Sequence, residues 1–202
     1  MDPDIRARAR VAMRAQLAEA IVDVFVEKGY EQVTTDEAAA AVGISRATFF
    51  RYFAGKEDVV VAAVETETPD YGAVLAELEP RPGRTIWELA RAALEPTIQA
   101  AVADKQRRRE RLRLIGSHPA LRARFSVRRE QLVAALAAAL EARVGDPAAF
   151  GGMGSLAVAA SAMAMVDVAW RRWASSDDVD LVAAVDEGFA ALGASSAPLP
   201  RG

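Results

Sequence analysis

Apolar side chains recur at steps of three and four residues along most of this chain, a spacing that is typical of amphipathic helices. The first such helix is predicted from about residue 6 to residue 28, where Gly29 provides the stop. The apolar positions that define it are Met13, Leu17, Ile21, Val24 and Phe25.

Two short helices are predicted next. Residues 34–37 (TTDE) fit a capping box, in which the Thr34 hydroxyl accepts from the Glu37 amide and the Glu37 carboxylate reaches back to the Thr34 amide. The helix that it opens spans about 35 to 41. Gly43 lies in the following turn, where glycine can adopt a positive φ, and Ser45 is predicted as the N-cap of the second helix. A further helix opens at residues 55–58 and continues to Val64.

The rest of the chain also has a helical pattern, after a connection that is rich in proline and glycine. Residues 66–84 hold three of the nine prolines and include one predicted short helix at 72–79. Longer helices are predicted at about 85–102, 105–115, 119–143, 147–175 and 178–193, and Pro96 is expected to kink or split the first of them. The pattern therefore predicts an all-α fold with a boundary between residues 64 and 65.

Composition narrows the class of protein. A hydrophobic content of 52% is enough for a real core, and the absence of cysteine excludes disulfides, thiolate metal sites and a cysteine nucleophile. No metal or cofactor is expected. The charged N-terminus lacks the apolar segment of a secretory signal, and the apolar run at 151–166 is shorter than the roughly 20 residues that a bilayer span needs. We expect a cytoplasmic protein without a membrane segment, in which this run is a buried helix.

The net charge of -3 taken alone argues against nucleic acid, but its distribution does not. Residues 38–56 contain Arg46, Arg51 and Lys56 and no acid.

Helical phase divides the aromatic rings of this stretch into two sets. Phe49 and Phe53 lie only about 40° apart and share one face, which we predict to be buried. The residues predicted to face outward are Ala47, Thr48, Phe50, Arg51 and Tyr52.

Two short helices joined by a glycine turn, the second presenting cations outward, follow the plan of a helix-turn-helix DNA reader. Arg46 can pair with guanine in the major groove, and Lys56 can bind a phosphate. Apolar contacts with thymine or sugar are predicted for Ala47 and Phe50. Phosphate contacts are predicted for Thr48, Arg51 and Tyr52.

The sequence VTTDEAAAAVGISRATFFRYFAGKEDVV resembles the DNA-binding signature of the TetR family of regulators. With the first helix, the resemblance covers residues of about 10 to 64. It implies an all-helical homodimer, with residues 1–64 as a helix-turn-helix DNA-binding domain and residues 65–202 as a ligand-binding and dimerisation bundle. The DNA contacts that it implies fall on Thr34, Thr35, Ser45, Arg46, Ala47, Thr48, Phe50, Arg51, Tyr52 and Lys56.

The leading hypothesis is a ligand-responsive regulator, specifically a repressor, that binds a near-palindromic operator as a dimer and is released by a small-molecule effector. One alternative is a small helical enzyme, whose candidate groups His118 and Asp167 are single and come with no nucleophile, phosphate-loop or metal motif. A helical protein-interaction module is the other. The sequence indicates neither the effector nor the operator.

The second half of the chain contains candidate functional residues, but no motif there is as specific as the one in the first half. Asp167 interrupts an apolar helix and is interpreted either as an interface or interhelical hydrogen-bonding group or as a polar anchor in an effector pocket. His118 precedes Pro119 and fits a capping or loop role. The basic cluster at 105–113 (KQRRRERLR) is expected to be a solvated face that also pairs with nearby acids, with binding of an anionic ligand or communication with the DNA-binding domain as alternatives. The residues selected as effector candidates are Trp87, Met163, Asp167 and Trp170.

Overall fold

The computed structural model describes residues 3–65, 68–150 and 154–194, and within these ranges every regular element is helical. The predicted all-α fold is confirmed. The helices are α1 (Pro3–Lys28), α2 (Thr35–Ala41), α3 (Arg46–Tyr52), α4 (Lys56–Glu65), α5 (Tyr71–Glu77), α6 (Ile86–Ala93), α7 (Glu95–Ala103), α8 (Lys105–Ser117), α9 (Pro119–Val144), α10 (Gly154–Ser175) and α11 (Leu181–Ala194).

Two breaks interrupt the helices that were predicted in the second half of the chain, and each of them lies at a proline. The helix predicted at 85–102 is split into α6 and α7, as expected, because Pro96 has no N–H to donate and its ring excludes the carbonyl four residues before it. The helix predicted from residue 147 is wrong at its start. Pro147–Phe150 form a 3₁₀ turn, residues 151–153 lie outside the described ranges, and α10 begins at Gly154.

The chain divides into two compact units. One comprises the residues up to Thr68 together with Glu110–Arg128, and the other comprises Pro69–Arg109 together with the residues from Arg129 onward. The divisions after Thr68 and within α8 and α9 describe packing. The functional division into a DNA-binding and a ligand-binding domain at residues 64 and 65 stays a prediction.

The core of the first unit is built from α1 to α4 with residues contributed by α8 and α9. Ile21 and Phe25 of α1 pack with Phe49, Phe53 and Val59 in one buried cluster. Leu114, Ile115 and Leu121 join the same cluster. Met13, predicted on the apolar face of the first helix, is exposed instead, so the buried stripe of α1 is confined to its second half.

The core of the second unit centres on α10, which packs against α6 and α11. Val158, Ala162 and Val166 are buried along one face of it. The described part of the predicted apolar run is thus helical and buried on that face only, because Leu156, Ala160 and Ala164 are exposed. The close approach of α11 depends on Gly188, where an added Cβ would overlap the side chain of Met165. Among the described residues no helix has both the length and the hydropathy to cross a bilayer.

Candidate nucleic-acid interface

The helix-turn-helix is held together by local hydrogen bonds that follow directly from its sequence. The Glu37 amide donates to Thr34 Oγ1 at 3.2 Å, and the Thr34 amide donates to Glu37 Oε2 at 2.8 Å, so the predicted capping box is confirmed. The bond from the Thr34 amide lowers the pKa of the Glu37 carboxyl, because it favours the ionised form. This box fixes the residue at which α2 begins.

The turn between α2 and α3 depends on Gly43. Its φ of 74° lies in the left-handed region, as predicted, and its amide donates to Ala40 O at 3.1 Å. The amide of Ile44 donates to Ala39 O at 3.0 Å, which satisfies a second carbonyl at the end of α2. Ser45 then caps α3 by accepting from the Thr48 amide at 3.1 Å. The turn therefore sets the direction in which α3 leaves α2.

The faces of α3 divide as the helical phase predicts. Phe49 and Phe53 are 0% and 1% exposed, with ring centroids 5.5 Å apart, whereas the adjacent Phe50 is 46% exposed. The buried pair attaches α3 to the core of the first unit and leaves its opposite face open. The prediction is confirmed for Phe49 and Phe53 as core and for Phe50 as outward-facing, whereas Tyr52 is half-buried and packs against the core.

Most of the residues predicted to contact DNA lie on this open face or beside it. Exposed side chains are those of Thr34, Ser45, Arg46, Ala47, Phe50 and Arg51, and half-buried ones are those of Thr35, Thr48, Tyr52 and Lys56. Their contact with DNA stays a prediction. The structure also shows that the cations stack on rings, with the guanidinium of Arg46 lying 5.2 Å from the Phe50 ring and that of Arg51 lying 5.2 Å from the Tyr52 ring.

Asp36 is a part of this surface that sequence analysis missed. Arg46 Nη1 donates to both carboxylate oxygens of Asp36, at 2.8 and 2.7 Å, and both side chains are more than half exposed. Asp36 lies just outside the acid-free stretch of residues 38–56. Only its position in the first turn of α2 could have suggested that it pairs with Arg46. An exposed pair of this kind contributes little to stability, so Arg46 can exchange it for another partner at low cost.

Lys56, predicted to bind a phosphate, is half-buried and already bonded to the backbone. Its Nζ donates to Tyr30 O at 2.7 Å and to Val33 O at 3.1 Å, and it lies 4.5 Å from the Tyr30 ring centroid. An ammonium has three N–H donors, so these two bonds leave one for a phosphate. The Tyr30 hydroxyl donates to Glu57 Oε1 at 3.0 Å, and burial together with this carboxylate raises the pKa of Tyr30 well above its usual range.

Two arginines of α1 hold the C-terminal end of α3. Arg14 Nε donates to Tyr52 O at 3.3 Å, and its Nη2 donates to Asp58 Oδ1 at 3.1 Å. Arg10 Nη2 donates to Arg51 O at 3.5 Å. Cations at these carbonyls also complement the negative end of the helix dipole. Arg10 and Arg14 therefore help to fix the position of α3 relative to α1.

The prediction of a solvated face is wrong for the central arginines of the basic cluster at 105–113, although Lys105 and Arg113 at its ends are exposed. Arg108, Arg109 and Arg111 are all buried. In the second unit, Arg109 donates to Asp177 and to Ser176 O. The guanidiniums of Arg108 and Arg109 lie 4.6 Å and 4.7 Å from the rings of Trp170 and Trp173. In the first unit, Arg111 pairs with Glu19 of α1.

His118 follows α8 in a capping position, as predicted. Its Nδ1 lies 2.9 Å from Leu114 O and 3.0 Å from Ser117 Oγ, and its ring centroid lies 4.8 Å from that of Tyr30. These contacts place the ring between the end of α8 and the core of the first unit.

The effector candidates lie in the second unit. Met163 and Trp170 are buried on α10, and Asp167 between them is half-buried and pairs with Arg129 at 2.6 Å. Burial raises the pKa of Asp167, against the opposing effect of Arg129 and Arg171. Trp87 is half-buried on α6, which packs against α10. Three of the four candidates thus share one side of α10, and whether they bind an effector stays a prediction.

The sequence matches two family models. Residues 17–63 match that of the bacterial regulatory proteins of the tetR family, and residues 84–197 match that of the MftR C-terminal domain. TcmR of Streptomyces glaucescens, an HTH-type transcriptional regulator, is 30% identical over 150 residues, which cover 71% of this chain and 65% of TcmR. MftR of Mycobacterium tuberculosis, named for the regulation of mycofactocin biosynthesis, is 28% identical over 116 residues, covering 57% of this chain and 58% of MftR. The alignments therefore span less than two thirds of either relative.

Solved structures show the same fold at lower sequence identity. A protein of Syntrophomonas wolfei assigned to the TetR-family transcriptional regulators superposes with a TM-score of 0.71 at 17% identity, covering 94% of this chain and 97% of that one. FadR of Thermus thermophilus, a repressor crystallised with lauroyl-CoA, superposes with a TM-score of 0.63 at 21% identity, covering 94% of this chain and all of FadR's.

Proposed function

We propose, from the premise that the chain belongs to the TetR family of bacterial regulatory proteins, that it is a cytoplasmic, homodimeric repressor released from its operator by a small-molecule effector. The family consists of transcriptional regulators, which are not enzymes. Residues 1–64 are the proposed DNA-binding domain and residues 65–202 the proposed ligand-binding and dimerisation domain.

The division of α3 into a buried and an open face carries the proposal. Phe49 and Phe53 fix the helix to the core, while Arg46 and Phe50 stay exposed one turn apart. A helix held in this way can enter a major groove, which is about as wide as a helix with its side chains. The proposed DNA-contacting residues are Thr34, Thr35, Ser45, Arg46, Ala47, Thr48, Phe50, Arg51, Tyr52 and Lys56.

Replacing Arg46 by alanine is expected to weaken operator binding by about 1–3 kcal/mol and to relax the preference at one base pair, because a bidentate contact with guanine is lost. An operator is first selected from random duplexes, and binding is then measured by fluorescence anisotropy at two or more salt concentrations. Arg124→Ala, an exposed arginine on α9 outside the proposed DNA contacts, is the matched control and should bind normally. An unchanged base preference in Arg46→Ala would count against base reading by this residue.

The proposed dimer interface is the exposed apolar stripe of α10. Leu156, Ala160, Ala164 and Val168 recur every four residues, and all four are exposed in the isolated protomer. Small residues at two of these positions allow close approach of a second helix. We propose that the same stripe of a second copy covers it.

Ala164→Arg is expected to produce monomers at micromolar concentration, because it places a long charged side chain in the middle of this stripe. Sedimentation velocity measures the change in mass. The control is Ala100→Arg, an equivalent substitution at an exposed position of α7, which should remain dimeric. A wild-type protein that sediments only as a monomer would contradict the proposed dimer.

The proposed effector site lies around α10 and α6, with Trp87, Met163, Asp167 and Trp170 as its candidate residues. The Asp167–Arg129 pair supplies polar groups beside buried apolar ones, which is the composition usual for ligand sites. The complex of FadR with lauroyl-CoA supports the idea that this fold holds a ligand. Effector binding would then shift the population towards a form that does not fit DNA.

A further inference from the structure

A groove of about 630 Å³ lies in the second unit, between the segment that precedes α6 and the last turn of α9. Arg81, Arg84 and Arg143 line it, and no acidic residue is among the lining residues that the structure describes. The proposed effector residues on α6 and α10 do not line it either. The groove is therefore distinct from those candidate residues, and the charged side chains that line it are all cationic.

The three arginines retain donors for a ligand. Arg81 donates to Glu88, Arg84 Nη1 donates to Glu79 O at 3.0 Å, and Arg143 donates to Leu75 O and Leu78 O at 3.1 and 3.2 Å. Since a guanidinium has five N–H donors, each keeps several beyond these bonds. The bonds also hold the side chains in place, which reduces the entropy that a ligand must remove on binding.

The remaining lining is largely apolar. Ile86 and Leu89 of α6 and Val144 of α9 contribute to it together with two prolines of the 80–82 segment. The segment is fixed where it enters α6, because Thr85 forms a capping box with Glu88. A groove with fixed cations and an apolar lining fits a molecule that has one anionic end and one apolar part. Its volume is within the range of small-molecule sites.

We propose that this groove binds an organic anion with a carboxylate or phosphate head and an alkyl chain, with the head paired to Arg81 and Arg84 and the chain against Ile86, Leu89 and Val144. Arg143 acts mainly by fixing the end of α5, since two of its donors already bind carbonyls there. Arginine suits both heads because its planar fork pairs with either in a bidentate manner. All residues of the proposed anion site come from one protomer, so the proposal does not depend on DNA binding.

Titration calorimetry of the full chain without DNA tests the site. The probes are octanoate, octyl phosphate, octanol and inorganic phosphate, each below any concentration at which it aggregates. Octanoate or octyl phosphate should bind with one site per protomer, at least tenfold more tightly than octanol or inorganic phosphate. The tighter of the two anions identifies the head that the arginines select. Equal binding of octanol, or binding of inorganic phosphate as tight as that of octyl phosphate, would overturn the proposal.

Variants locate the binding. Arg81→Gln/Arg84→Gln should weaken the anion by at least tenfold, whereas Arg122→Gln/Arg124→Gln, a charge-matched pair on the exposed surface of the first unit, should not. Ile86→Glu offers a second measurement, since it places an acid in the groove and should also weaken binding. Far-UV circular dichroism confirms that each variant is folded. Undiminished binding in both groove variants would show that the anion binds elsewhere, whatever the result of the operator experiments.

Discussion

Phe49→Ala is expected to lower the free energy of unfolding by about 3–5 kcal/mol, the usual cost of removing a fully buried phenylalanine ring. The ring is 0% exposed and packs on Phe53 within the core of the first unit. Because this contact also holds α3 against the core, operator binding should fall with stability. Urea titration followed by circular dichroism at 222 nm measures the loss, at one fixed protomer concentration because the proposed dimerisation would contribute to stability.

Phe50→Ala is the matched control, since the same ring is removed from the next position of the same helix. Phe50 is exposed, so its loss should change stability by no more than about 1 kcal/mol, including its stacking with Arg46. If Phe50 contacts DNA, operator binding should nevertheless weaken. A stability loss as large as that of Phe49→Ala would contradict the assignment of the two faces.

The helix-turn-helix could be predicted from the sequence because the interactions that define it are local. The capping box of Thr34, the positive φ of Gly43 and the cap at Ser45 each involve residues within four positions of one another. The phase of a seven-residue helix then decides which rings are buried. The same reasoning identified the break at Pro96, where one side chain determines the backbone geometry.

The environment of the charged residues could not be predicted, because their partners are distant in sequence. Arg109 meets an acid 68 residues away, and Arg111 meets one 92 residues away. A run of charged residues such as 105–113 usually indicates a solvated face, whereas tertiary packing buries three of its arginines. Arg14 and Lys56 likewise bond backbone carbonyls of other elements, which no local pattern reveals. The candidate DNA surface was therefore predicted more fully than the residues that position it.

Asp177→Ala is expected to destabilise the second unit by about 2 kcal/mol. It removes the carboxylate from Arg109, whose side chain is only 3% exposed, and a buried guanidinium that loses its counter-ion is left in a poorly solvated site. The effect should lie below the range for pairs in which both groups are buried, because Asp177 is itself 85% exposed and water can enter where it was. Urea titration measures it, with Asp178→Ala, the neighbouring exposed acid, as a control expected to stay within about 0.5 kcal/mol of wild type.

Arg109→Met separates the buried charge from the packing on Trp173. Methionine keeps much of the apolar contact with the ring and leaves Asp177 solvated, so this variant should be less destabilised than Asp177→Ala. In the double variant the loss of Asp177 should add almost nothing, because no buried cation remains to be neutralised. Additive losses in the double variant would show that Asp177 stabilises the chain by some route other than Arg109.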